Sequence, residues 1–325
     1  MKSLFLRPIA AVLACASVWP AASIASDSFP QKPVTVLIPA GPGGSVDRLA
    51  RIIHPKLSES LGQPVVIDYK PGASGVIAEE LLVKSMPDGH TILLDASTVT
   101  MNAVLLAPKL RFDIQKDMLP VTCMVRYQHM LVVHPSVPAR TVPEFVEYIR
   151  ANPGKVNYAS AGTGSAQHVV AEIFLRANGL KATNVNYKGG GQMLLAVASG
   201  DVHFSMFGVN TGAEFVKAGK LRALAVLDEA RAKTMSGTPT FTELGYKNMT
   251  SPWAGVFVPR ATPATVVQRI HLEMTKALRD PGVQQQLAAA DFPVCSNTPA
   301  EFARMIADEI ALNATLVRDL QLKAE

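Results

Sequence analysis

The chain has 325 residues, 48% of them hydrophobic and 6% aromatic, and its 31 Lys and Arg outnumber its 26 Asp and Glu. That is enough for two globular domains, and it excludes a disordered or low-complexity chain. The mild positive excess, without an aromatic and basic patch, argues against a nucleic-acid partner and is compatible with a small anionic ligand.

The first 25 residues read as an export signal. Lys2 and Arg7 supply the positive end, Ile9 to Trp19 is apolar but too short to span a bilayer, and Ser23-Ile24-Ala25 is a small-x-small cleavage site. The mature chain is therefore expected to begin at Ser26 and to be exported. Val12-Leu13-Ala14-Cys15 is an imperfect lipobox, and its use would leave a very short apolar region. No later stretch is long enough for a transmembrane helix. Two cysteines remain after cleavage, Cys123 and Cys295. An oxidising compartment permits a bridge, but both lie in apolar surroundings and the reading is two buried free thiols.

Residues 34–39 (VTVLIP) form a short β-branched run bounded by prolines, the pattern of a buried parallel strand. The loop Gly41, Pro42, Gly43, Gly44 follows, and then a helical pattern over 46–61 with Ser45 as its expected N-cap and Gly62 as its C′ residue. A strand, a glycine loop and a helix N-terminus make a place to hold an anion. The nucleotide motifs are absent: Val46 stands where the dinucleotide fingerprint needs its third glycine, and no GK[ST] occurs. Further strands are predicted at 65–69 and 91–95, with a helix at 75–85 between them.

HMLVVH (129–134) is the next strand, followed by a helix at 142–151 that stops at Asn152-Pro153-Gly154. VNYAS (156–160), the glycine loop GTGS (162–165) and a helix from Ala166 to Asn178 repeat the opening arrangement about 120 residues later. NVNYKGGG (184–191) leads into a helix from Gln192 to Ala198, and 202–207 and 221–227 are strands. Residues 228–252 read as irregular, 253–259 as a strand, and helices follow from Pro263, at 281–290 and at 299–320. Strands alternating with helices argue for parallel, doubly wound sheets, whose ligands bind at the carboxyl ends of the strands.

Seven ordered stretches resemble the periplasmic receptors of tripartite tricarboxylate transporters, the TctC-like or Bug proteins. They are FPQKPVTVLIPAGPGGSVDRLAR, LSESLGQPVVIDYKPGASG, MPDGHTILL, NPGKVNYASAGTGSAQH, VNYKGGG, AGKLRALAVL and WAGVFVPRATP. The resemblance covers essentially the whole mature chain. It implies an α/β, two-domain periplasmic-binding-protein clamshell of type II-like organisation, each domain a mostly parallel sheet flanked by helices. The first domain is placed at 26–127 plus 250–325 and the second at 128–249, with the ligand cleft between them. It further implies a monomeric receptor that captures a small carboxylate for membrane transporter subunits, without metal or organic cofactor.

Carried over residue by residue, the implied ligand-binding set in the first loop is Ala40, Gly41, Pro42, Gly43, Gly44, Ser45, Val46 and Asp47. In the second loop it is Ser160, Ala161, Gly162, Thr163, Gly164, Ser165 and His168, and Ser97, Gly191, Gln192 and Met193 complete it. The N–H groups of Gly43 to Val46 and of Gly162 to Ser165 are the expected donors to carboxylate oxygens, aided by the hydroxyls of Ser45, Thr163 and Ser165. Asp47 is read as organising its loop, since like charges repel, and His168 as bonding a nearby backbone group.

The chain departs from the family at Ala40, where many relatives carry Phe. It departs again at Gln192-Met193, where Pro-Ala is usual, and at Ala196, often Asp. A lost ring widens the cleft, Gln192 is expected to meet a distal polar group, and Met193 is expected to line an apolar wall. Together these argue against a plain amino acid or a short dicarboxylate and favour a bulkier, even aromatic, carboxylate. Two other classes stand as alternatives. A sensor subunit would share the same cleft chemistry. A hydrolase would need machinery that the sequence does not show: there is no HExxH, Gly72-Ala73-Ser74-Gly75 is not a GxSxG elbow, and Ser165 and His168 lack a third member.

Overall fold

The computed structural model describes residues 29–126, 128–227, 230–246, 249, 251–319 and 321–323. The segment read as an export signal, and the start expected at Ser26, lie outside the described residues.

The first part of the chain runs β1 (Val34–Ile38), α1 (Ser45–Leu61), β2 (Val65–Tyr69), α2 (Val76–Lys84), β3 (Thr91–Ala96), α3 (Thr98–Leu105), α4 (Ile114–Asp117) and β4 (Met118–Arg126). The chain then builds β5 (His129–Val133), α5 (Val142–Ala151), β6 (Asn157–Ser160), α6 (Ala166–Ala177), β7 (Thr183–Asn186), α7 (Gly190–Ser199), β8 (Phe204–Gly208), α8 (Val209–Lys217) and β9 (Arg222–Leu227). It returns through β10 (Trp253–Pro259), α9 (Ala264–Arg279), α10 (Pro281–Ala289) and α11 (Pro299–Asp319).

Two five-stranded sheets result, ordered β2-β1-β3-β10-β4 and β7-β6-β8-β5-β9. In each, three strands pair in parallel and the fourth is antiparallel to both its neighbours, β10 in the first and β5 in the second. Four of five strands therefore run the same way in each sheet. The antiparallel strand is in both cases the first to arrive from the other sheet. One plan is used twice, and the chain passes between sheets after β4 and after β9.

Each sheet is covered on both faces, so its strands are apolar throughout rather than alternating. Val34, Val36 and Ile38 face α1 and α9, which contribute Leu49, Ile53, Val267 and Ile270, while Leu37 and Leu93 turn to α2 and α11. In the second sheet Leu131 and Val133 meet Phe145, Phe174 and Phe204, and Met130 and Val132 meet Met193 and Phe207. Gly62 closes α1 in the left-handed conformation at φ +63°. Thr298 and Glu301 form a reciprocal capping box at the start of α11.

Three features differ from the sequence reading. β4 was not foreseen, because Pro120 sits inside it; it is an edge strand, where a missing N–H is tolerated. The short helices α3, α4 and α8 were not foreseen either. Cys123 and Cys295 are not free thiols: they form a disulfide with Cα atoms 5.6 Å apart. The backbone brings them together because the Cys295 N–H donates to the Met124 carbonyl.

Candidate functional site

Gly44 is the N-cap of α1, at φ −85° and ψ 174°, and Ser45 is the first helical residue rather than the cap. The Ser45 hydroxyl reaches into the other domain instead, donating to Asn210 Oδ1 at 3.3 Å. Gly43 turns the chain at φ +92°, a conformation that favours glycine. Its N–H donates to Asp47 Oδ2 at 2.9 Å. Asp47 Oδ1 accepts from the Tyr69 hydroxyl at 2.5 Å and from Arg51 Nε at 2.8 Å. Burial alone would raise the Asp47 pKa. The Gly43 amide, the Tyr69 hydroxyl and the Arg51 guanidinium outweigh it and hold the carboxyl below the usual 3.8.

Asp47 therefore organises its loop. The Gly43 N–H, expected to meet a ligand, is already bonded. The amides of Ser45, Val46 and Asp47, in the first turn of α1, have no intrahelical partner and carry the positive end of the helix dipole. Ala40 is half-buried against the first core, and Gly41 and Pro42 form the tip of the turn.

The second loop is built the same way. The buried Ser160 hydroxyl accepts the Gly162 N–H at 3.2 Å and lies 3.1 Å from Asn186 Oδ1. Gly162 and Gly164 adopt φ +118° and +81°. The Gly164 N–H donates to His168 Nδ1 at 3.1 Å, and the Ser165 N–H to the Gly162 carbonyl at 3.0 Å. The Ser165 hydroxyl caps α6 by accepting the His168 N–H at 3.4 Å. Asp47 and His168 are each the third residue of their helix, and each accepts the N–H of the glycine four positions earlier. Accepting at Nδ1 places the proton of a neutral His168 on Nε2.

The Gly162, Gly164 and Ser165 amides are thus bonded within the loop, contrary to the expectation from sequence. What remains there is the Thr163 amide, the Thr163 hydroxyl, whose oxygen is buried without a partner, and the first-turn amides of Ala166 and Gln167. Ala161 is exposed at the tip.

The remaining expected residues divide. Ser97 ends the turn after β3; its N–H donates to the Trp253 carbonyl and its own carbonyl accepts the Thr100 hydroxyl at 2.7 Å. Gly191 and Gln192 are exposed in the first turn of α7, where Gln192 Oε1 accepts the Lys188 N–H at 3.2 Å. Met193 does not line the cleft. The helical repeat turns it toward the sheet, where it is fully buried beside Met130, Ala159 and Phe207.

The two domains touch beside each loop: loop 1 meets Asn210 of the second domain, and loop 2 meets Ser74 and Leu105 of the first. Arg48 Nη1 donates to the Asn210 carbonyl at 2.8 Å, beside the Ser45 contact. A Cβ on Gly162 would lie 3.7 Å from Ser74 Oγ, and one on Gly164 would lie 2.8 Å from Leu105 Cδ2. Met101 and Leu105 of α3, Val169 of α6, and Leu316 and Val317 of α11 continue this contact as an apolar seam.

Two neighbouring features escaped the sequence reading. The turn Gly72-Ala73-Ser74-Gly75 holds four successive positive φ angles, 128°, 47°, 56° and 104°. Such strain at non-glycine residues persists only where surroundings enforce it. Asn102 Nδ2 does so, donating to the Ser74 carbonyl at 3.0 Å and to Glu79 Oε1 at 2.8 Å. Below lie two buried carboxyls, Glu79 and Asp95, each with one oxygen lacking a partner. Burial pushes Asp95 up to about 7 against the opposing Ala96 N–H, and burial together with nearby Asp95 pushes Glu79 well above its usual range. Among the described residues no group of three or more His, Cys, Asp or Glu side chains could hold a metal ion.

The family model described as "Tripartite tricarboxylate transporter family receptor" matches residues 49–322. Protein BugT of Bordetella pertussis is 32% identical over 93% of this chain and 94% of its own length. A solved structure described as a periplasmic transporter superposes with a TM-score of 0.86 at 31% identity, covering 91% of this chain and 99% of that one. The R. palustris protein Rpa4515, solved with adipate, superposes with a TM-score of 0.84 at 29% identity over 91% of this chain and 99% of its own.

Proposed function

The chain belongs to the tripartite tricarboxylate transporter receptor family, and we propose that it is a periplasmic solute-binding receptor that captures a small carboxylate in the cleft between its two domains. The observation that carries this reading is the pair of glycine loops, one per domain and each touched by the other domain, each ending a strand and opening a helix. Each is braced by its own helix residue, Asp47 or His168. A carboxylate between them would meet the amides of Ser45, Val46 and Asp47 on one side. On the other it would meet the Thr163 hydroxyl and the first turn of α6. Two helix N-termini and several charge-assisted hydrogen bonds support roughly micromolar binding, about −8 kcal/mol. Arg51 is engaged by Asp47 and Tyr69, so it is not the carboxylate's counter-ion in this reading.

The lobes in this reading are 26–127 plus 250–325 and 128–249, joined at the two crossings. The ligand stabilises the closed arrangement by binding it better than the open one, and membrane transporter subunits recognise the closed face. The protein acts as a monomer, without cofactor and without turnover. Ala40, small at the mouth of the first loop, favours a bulkier carboxylate. A relative solved with adipate supports the carboxylate class. A thermal-shift screen over aliphatic and aromatic carboxylates tests the proposal. A ligand at about 100 times its dissociation constant adds roughly 2.7 kcal/mol of stability, and a screen with no shift for any carboxylate overturns it.

A further inference from the structure

We propose that Asn210 reads the far end of the ligand, its Nδ2 donating to the distal carboxylate of a dicarboxylate while Ser45 holds its Oδ1 from the opposite domain. This deepens the receptor reading above and rests on it. The repeated sheet plan points to this position. In orders β2-β1-β3 and β7-β6-β8 the strand directions of connection diverge at β1 and β3 and at β6 and β8. Ligands of open α/β sheets bind at such switch points, so the turn after β8 is the partner of the glycine loop after β6. Asn210 lies in that turn, in the first turn of α8.

The residue is held at two places, its side chain and its backbone carbonyl. Oδ1 accepts from Ser45 Oγ at 3.3 Å, and Arg48 Nη1 fixes the Asn210 carbonyl at 2.8 Å. A Cβ on Gly208 would lie 2.6 Å from Asn210 Oδ1 and 3.4 Å from Ser45 Oγ. The missing side chain at Gly208 is thus what lets the carboxamide lie over the end of β8, against loop 1. Nδ2 is then buried without a hydrogen-bond partner. A buried amide N–H left unpaired is costly, and native proteins pair nearly all of them. A donor with both neighbours fixed suits an oxygen acceptor, and a charged acceptor most. Because Ser45 belongs to the first domain and Asn210 to the second, the same carboxamide joins the domains and contacts the ligand.

The test is a titration of the full chain with straight-chain dicarboxylates, adipate included, and with monocarboxylates of equal length, for wild type, N210A and N210D. Wild type is expected to prefer the dicarboxylate. N210A should weaken both acids through the lost Ser45 contact, and the dicarboxylate about tenfold more than the monocarboxylate, so the preference collapses. N210D, of nearly the same shape, should lose more, because it sets a carboxylate against a carboxylate. Equal weakening of both acids by N210A, or a dicarboxylate affinity unchanged in N210D, overturns the role of Asn210 while leaving the receptor reading in place. A wild-type chain that binds neither straight-chain acid also overturns the role of Asn210, and the receptor reading falls with it only when the carboxylate screen is silent as well.

Discussion

Gly164 of the second domain and Leu105 of the first approach so closely that a Cβ on the glycine would sit 2.8 Å from Leu105 Cδ2. Leu105 is buried in the apolar seam between the domains, where it has little room to yield. The glycine is thus a condition of this contact between the domains as well as of the left-handed turn at φ +81°. Gly164→Val is expected to weaken carboxylate binding at least tenfold, with a circular dichroism spectrum like wild type. Small-angle scattering should show that ligand no longer compacts the variant. Undiminished affinity would mean that binding does not require this contact.

Asp47 braces the first loop through Gly43, Tyr69 and Arg51. Asp47→Ala removes all three bonds at a buried position and should lower stability by about 1–3 kcal/mol. Its folded pKa lies below 3.8, so the stability it contributes is fully present above 3.8 and is lost as pH falls through the lower folded value. Asp47→Asn should flatten this acid limb of the stability curve. A denaturant series across acidic pH reads both effects, and an unchanged acid limb in the asparagine variant would speak against the bracing role.

Asp95 behaves in the opposite sense. Its folded pKa is raised from 3.8 to about 7 by burial. The stability attached to its protonated form is fully present below 3.8 and is lost as pH rises through about 7. Asp95→Asn, which needs no proton, should remove this decline between mildly acidic and neutral pH. Melting temperatures of the two proteins should therefore diverge as pH rises, with the variant the more stable near neutrality. Parallel curves would show that the buried Glu79 and Asp95 pair is not proton-linked to folding.

The disulfide joins residues 172 positions apart. In the chain-entropy account a loop of that length stabilises by about 5 kcal/mol. Cys123→Ala with Cys295→Ala, or reduction of the native chain, should lower the unfolding midpoint sharply in denaturant titrations. A midpoint that does not move would show that the unfolded chain gains no freedom from losing the bridge.

Much of the fold was legible because its signals are local. Runs such as VTVLI and VVIDY are β-branched and apolar, and Gly62 and the Thr298 to Glu301 cap mark helix ends through neighbouring residues alone. The two glycine loops were visible for the same reason. Which of their amides stay available was not, since that depends on where Asp47 and His168 point once helical. Position 47 or 168 as an acceptor on the third helical residue was the available hint. Met193 could not be assigned from sequence, because one step of helical phase separates the cleft from the core. Asn210 and the disulfide depend on contacts across 165 and 172 residues, which local pattern does not carry. Pro120 hid β4, since only the finished sheet shows that the strand is an edge.

The most direct test of the central claim is a crystal structure of the chain with the carboxylate that gives its largest thermal shift. One carboxylate is expected between residues 43–47 and 160–168. Its oxygens should lie within hydrogen-bond distance of the Ser45 and Val46 amides and of the Thr163 hydroxyl. A ligand lodged outside that cleft, or lying in it with neither helix N-terminus directed at its carboxylate, would contradict the account.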